Sequence, residues 1–212
     1  MPTSVSPVGS AKHVERVFEL VGGHPALDLV NTLDWRFREG LPEELLESYG
    51  DILRFTEQSQ LLTPRQARHL LRNANSSAAQ RTLASVRDLR EAAAEIFYAV
   101  VDERSPASAP IKSLGTAFKA ARAHQNLQWS ESRLTWGWQE TTAAPELPLW
   151  LLSLSVVRLM TSDAMQQLRA CDNLECRWLF LDTSKNHTRR WCEMRICGNR
   201  MKARRFKAQH RA

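Results

Sequence analysis

All four cysteines of the 212-residue chain fall within its last 42 residues, as Cys171-x4-Cys176 and Cys192-x4-Cys197 separated by fifteen residues. Two close pairs joined by a hairpin-sized gap match what a tetrahedral zinc ion needs. Each pair offers two thiolates from one turn, and the intervening segment folds back to join them. A site closed by four thiolates leaves no position for a substrate or an activated water, so the expected zinc is a single structural ion. Four unrelated buried cysteines would not show two matched spacings. His187, in the turn Ser184-Lys185-Asn186-His187, reads as a solvated turn residue rather than a ligand.

Cysteine chemistry depends on compartment. No apolar run of the secretory kind occurs between Met1 and Phe18. The most apolar stretch, Leu147 to Met160, is broken by Pro148, Ser153, Ser155 and Arg158 and is too short to span a bilayer. Both features predict a cytoplasmic protein with no membrane partner, and in a reducing cytoplasm clustered thiols bind metal.

The charge is uneven. From Arg169 onward there are 12 Lys plus Arg against 4 Asp plus Glu, a net of +8, while the preceding 168 residues carry a net of −2. A basic patch on a small closed module is the electrostatic footprint of a polyanion binder, because each neutralised phosphate releases condensed counterions. On a helix from Arg200 to Arg211, Arg200, Arg204, Lys207 and Arg211 share one narrow arc, and Lys202 and Arg205 add charge elsewhere. Ala203, Phe206 and His210 share another side, expected to pack against the cysteine module. Arg189, Arg190 and Arg195 assist from the neighbouring hairpin and loop. Gly198 suits a close backbone approach at the metal site, and Asn199 is placed to cap the helix.

Between the pairs, Trp178-Leu179-Phe180-Leu181 is rich in strand formers, Asp182 to His187 supplies turn chemistry, and Thr188 to Trp191 is expected to return as the second strand. Trp178 and Trp191 are expected to cover the zinc site, since so small a module needs every apolar side chain it has; stacking on bases is the other use open to them. A knuckle, a hairpin and a helix starting at the last ligand make a treble-clef-like finger.

The run Cys171-Asp172-Asn173-Leu174-Glu175-Cys176, with Trp178 to Asn186, Arg189 to Met194 and Cys197-Gly198-Asn199-Arg200, resembles the CGNR zinc finger. Upstream, Gly22-Gly23-His24-Pro25-Ala26-Leu27-Asp28-Leu29-Val30-Asn31-Thr32 resembles the opening motif of the ABATE domain, which precedes that finger in bacterial proteins described as stress-induced transcription regulators. The two resemblances cover nearly the whole chain. They imply a zinc-dependent, DNA-binding C-terminus and an N-terminal domain that senses a ligand or partner.

Read from its own residues, the N-terminal part is mainly helical. Phe18 to Val21 is expected as a short strand, and Pro25 as the first residue of a helix on which Ala26, Leu29, Val30 and Leu33 form an apolar stripe. His24, Asp28, Asn31 and Trp35 share the other side. They either line a pocket for a small ligand or, in the plainer reading, bond to nearby backbone and cap the helix. Helices are expected from Ser48 through Gln58, from Pro64 to about Asn73 and from near Ser77 to Glu103. A further helix would turn Ile111, Leu114, Phe118 and Ala121 inward. Leu127 to Trp138 reads as a hairpin, and Leu149 to Arg169 as a helix running straight into the zinc module.

The expected fold is therefore α+β: a mainly helical domain over 1–168 with a short hairpin, then a zinc finger over 169–212. No Gly-rich phosphate loop, His-Glu-x-x-His helix or Gly-x-Ser-x-Gly elbow is present, so no enzyme is expected. DNA is the leading partner, with RNA or protein as rivals that a basic helix serves equally well. One finger buries little surface, so specific recognition calls for a homodimer presenting two.

Overall fold

The computed structural model of the protein describes residues 17–40, 42–138 and 144–210. The described residues are mostly helical, with three short antiparallel strand pairs. The first four helices each start on a side-chain cap. His24 caps α1 (Pro25–Asn31), its Nδ1 accepting the Ala26 N–H at 3.2 Å. Strands β1 (Leu33–Asp34) and β2 (Glu43–Glu44) pair after it. Ser48 with Asp51 and Thr63 with Gln66 form reciprocal capping boxes on α2 (Tyr49–Gln58) and α3 (Pro64–Asn73), and Asn75 caps the 26-residue α4 (Ser76–Val101).

Next come α5 (Ser108–Ala123), the hairpin of β3 (Gln125–Ser130) and β4 (Arg133–Trp138), and α6 (Leu147–Met160). The β3–β4 turn places Glu131 and Ser132 at positive φ, as a two-residue hairpin loop requires. The α5 stripe differs from expectation. Pro110, Leu114 and Ala121 are buried while Ile111 is 51% exposed, because the inward face follows 110, 114, 117 and 121, and Ile111 lies one residue off that line.

Six of the seven residues of α1 are buried, and this short helix is surrounded by α4, α6 and the C-terminal strand β6 (Leu179–Leu181). Strand β6 pairs with β5 (Leu168–Ala170), and its alternation divides two cores. Leu179 and Leu181 join the main core with Leu27, Phe55 and Phe97, while Phe180 and the adjacent Trp178 pack with the four cysteines. One strand is thus the seam between the helical domain and the cysteine module.

Two further expectations are corrected. Phe18 to Val21 is not a strand: Phe18 is a buried anchor packed edge-on to Phe55, and the hydrogen bond to β6 comes later, where Leu181 N–H donates to the Gly22 carbonyl. The last long helix does not run into the cysteines. It stops at Met160, where the Thr161 and Ser162 hydroxyls turn back onto the Val157 and Leu159 carbonyls; a 3₁₀ turn (Asp163–Gln167) and β5 follow.

Candidate metal centre and nucleic-acid interface

Cys171 follows β5 directly, and its N–H donates to the Trp178 carbonyl. The Asn173 carbonyl accepts from both Cys176 and Arg177, closing the first knuckle, with Arg177 in the left-handed region at φ 49. Beyond β6, the carboxylate of Asp182 organises the turn by accepting from the Ser184 N–H and hydroxyl and the Arg189 N–H. The expected return strand over Thr188 to Trp191 does not form, because β6 takes β5 as its partner; 188–191 instead reaches the first knuckle through Asp172 N–H to the Arg190 carbonyl. Glu193 then opens a π-helical turn (Met194–Gly198) that carries Cys197.

The four sulfurs lie within 4.8 Å of one another, and all four cysteines are buried. A zinc ion with tetrahedral bonds of about 2.3 Å sets sulfurs about 3.8 Å apart. Cys176 and Cys192 stand at 3.8 Å, far beyond the ~2.05 Å of a disulfide. Asn173 donates to the Cys197 sulfur at 3.6 Å, a contact suited to a thiolate. Hydrogen bonds among the sulfurs hold Cys171 and Cys197 below the ordinary thiol range and push Cys176 and Cys192 above it. A divalent cation removes this competition by ligating all four thiolates. The donor set therefore fits one structural zinc, covered by Trp178, Phe180 and, more loosely, Trp191 and Ile196.

Helix α7 (Asn199–Gln209) continues directly from the π turn, so its cap position is Gly198 and not the expected Asn199. A Cβ on Gly198 would stand 2.6 Å from the Met194 sulfur and 3.3 Å from Trp191, so the close approach is to these side chains. No side chain of α7 is buried. Phe206, expected to pack inward, is exposed and stacks on His210.

The predicted phosphate ligands separate by their engagement. Arg189 is consumed internally: its guanidinium donates to the Trp191, Cys192 and Val21 carbonyls and covers Phe180 at 4.1 Å. Arg190 pairs with Asp172, Arg195 with Glu19 and Arg204 with Glu175, all as exposed pairs of small energetic weight. Arg200 lies 4.5 Å over the Trp35 ring. Lys202, Arg205 and Lys207 are exposed, with no acidic partner among the described residues. Arg211 lies outside the described residues.

Comparison with protein families agrees with this geometry. Residues 167–210 match the model of the CGNR zinc finger, and residues 23–163 match ABATE, described as "Putative stress-induced transcription regulator". The chain belongs to the ABATE family. No curated protein matches it. Among the described residues, no helix is long and apolar enough to cross a membrane.

The four polar residues singled out in the ABATE domain do not meet in one cavity. Asp28 accepts the Gly22 N–H at 2.7 Å, and burial pushes its carboxyl up to about 6 although hydrogen bonds from Gly22 and Val21 oppose the shift. Asn31 bonds to the Leu179 backbone in the finger. Trp35 lies beyond the end of α1, at φ 51, beneath Arg200. His24 caps α1 and lines a groove between α5, α6 and the β3–β4 hairpin. The contacts that fix the finger to the ABATE domain have no signature in the local sequence. The Tyr98 hydroxyl donates to the Arg177 carbonyl, and the Arg177 side chain pairs with Asp102 and lies over Phe37 and Tyr98. These contacts join residues about 75 to 150 positions apart, which no local pattern reveals.

Proposed function

We propose that the protein is a transcription regulator that binds DNA through α7 of its finger, with residues 1–168 receiving a signal and 169–212 forming a treble-clef-like reader. The observation that carries this reading is α7 itself. Its eleven residues hold Arg200, Lys202, Arg204, Arg205 and Lys207, no acid and no buried side chain, so the helix contributes to neither core and touches the rest of the chain through exposed contacts such as Arg200 over Trp35 and Arg204 with Glu175. Five like charges on a helix this short oppose its formation, and helices of this length are marginal alone. A polyanion reverses that penalty. At about 1.5 Å per residue the helix is roughly 16 Å long, and the major groove, about 12 Å wide, accepts an α-helix. Zinc supplies the folding energy that holds the base of α7, and catalysis has no part in the reading. Two chains presenting two fingers would give the surface that a specific site requires.

The test is fluorescence anisotropy of the full chain with duplex DNA, duplex RNA and an acidic peptide of equal charge, each with and without a chelator. Zinc-dependent binding that favours DNA and weakens steeply with salt is expected. A preference for RNA would transfer the helix to that polymer, and no binding to either nucleic acid would leave a protein-interaction module.

A further inference from the structure

The groove that His24 lines in the ABATE domain has a volume of about 610 Å³. Small-molecule sites commonly span about 300–1,000 Å³. Its walls are Phe118 and Arg122 of α5, Trp136 and Trp138 of β4, and Arg158 with its neighbours on α6, and no Asp or Glu is among its described lining residues. Arg122 is already positioned. It donates to Gln125 Oε1 at 2.7 Å, and its guanidinium stacks 4.0 Å over Trp136. A planar guanidinium held this way keeps further N–H donors for a bidentate acceptor. Arg158 is exposed and has no acidic partner among the described residues.

Two arginines facing one groove, with no acid among its described lining residues, repel one another, and an anion between them offsets that repulsion. His24 registers the same field: burial, and after it Arg158, lower its pKa. The apolar lining points to the rest of the occupant. The cross-strand pairs Gln125 with Trp138, Leu127 with Trp136 and Trp129 with Leu134 put five apolar side chains on one face of the hairpin. Trp138 is anchored at its root against Trp150, while Trp129 is 73% exposed at the tip. An exposed apolar face of this kind marks a binding surface more often than a solvated one.

We propose that this groove binds a small organic acid, with the carboxylate between Arg122 and Arg158 and an apolar or aromatic body against Phe118, Trp136 and Trp138. The proposal names the chemical class of the signal invoked above, and binding is read without nucleic acid so that the two readings can fail separately. One end of α1 lies at the groove through His24, and the other, through Asn31, touches the finger.

Calorimetric titration of the zinc-loaded full chain with benzoate, 2-naphthoate and decanoate tests it, with 2-naphthamide as the uncharged control. Saturable binding of at least one acid with 1:1 stoichiometry is expected. Arg122→Gln with Arg158→Gln should weaken it about tenfold or more, as loss of charge-assisted hydrogen bonds does, and Arg158→Lys should retain part of it. For 2-naphthoate bound in this way, the amide should bind about tenfold more weakly. Circular dichroism and zinc content establish that the variants fold. Absence of saturable binding by all three acids up to about 1 mM, or an affinity indifferent to both arginines, overturns the site. An acid that binds but leaves DNA affinity unchanged supports the site and removes only its role as a signal.

Discussion

The side-chain amide of Asn31 satisfies both backbone groups of Leu179, accepting its N–H at 2.9 Å and donating to its carbonyl at 3.0 Å across 148 residues of sequence. Asn31 thereby acts as a one-residue strand on the free edge of β6, joining the end of α1 to the finger. Replacing it by Ala would leave a buried donor and a buried acceptor unpaired, at a cost of about 2–4 kcal/mol. Urea unfolding of the zinc-loaded chain should show that loss with metal content unchanged. A loss below about 0.5 kcal/mol would mean that water or a small shift repairs the seam.

Asp28 should make stability depend on pH. Its carboxyl titrates near 6 in the folded chain because burial disfavours the charge, against an ordinary value of 3.8. The folded state therefore holds its proton more tightly than the unfolded state. This contribution to stability is fully present below pH 3.8, declines as pH rises and is gone above about 6. Asp28→Asn keeps an oxygen acceptor for the Gly22 N–H and removes the charge. It should stabilise the protein at pH 7 by on the order of 1–2 kcal/mol and flatten that part of the pH profile. Thermal melts between pH 4 and 7 check both, and a destabilised Asn variant at pH 7 would contradict the assignment.

Zinc removal should reach beyond the finger. Cys197→Ser removes one of four ligands, so bound metal is expected to fall from one ion per chain to none. Because Leu179 and Leu181 of β6 belong to the main core, the ABATE domain should also lose several kcal/mol of stability, as burial of two leucines at about 1.5–3 kcal/mol each implies. Metal analysis together with urea melts followed through Trp178 and Trp191 measures the two effects. Loss of metal with an unchanged main transition would show that β6 holds its place without zinc.

The cysteine site was legible because its signal is local: two x4 spacings place four thiolates without reference to the rest of the chain. The same holds for α2 and α3, whose capping boxes Ser48–Asp51 and Thr63–Gln66 lie three residues apart. What the sequence did not disclose is pairing at a distance. The strand formers of β6 are evident, but the partner that local sequence suggests is downstream at Thr188 to Trp191, whereas the real one lies upstream at Leu168 to Ala170. Arg189 read as a phosphate ligand because charge is visible in a sequence and the carbonyls of Val21, Trp191 and Cys192 that absorb it are not. The groove of Arg122 and Arg158 leaves no local pattern for the same reason, since it is assembled from α5, α6 and β4.

That difference between arginines can be measured. Lys202, Arg205 and Lys207 are exposed and carry no packing, so their joint replacement by Ala should leave stability within about 1 kcal/mol and reduce the log-log salt slope of DNA binding by about 2.7, at roughly 0.9 per phosphate contact. Arg189→Ala should do the reverse. It strips hydrogen bonds from three carbonyls and uncovers Phe180, so it should destabilise the finger by about 2–3 kcal/mol while leaving the salt slope of the folded protein within error. Denaturation and anisotropy on the same preparations separate the two. A slope reduced by Arg189→Ala and untouched by the triple replacement would move the interface from α7 to the loop before it.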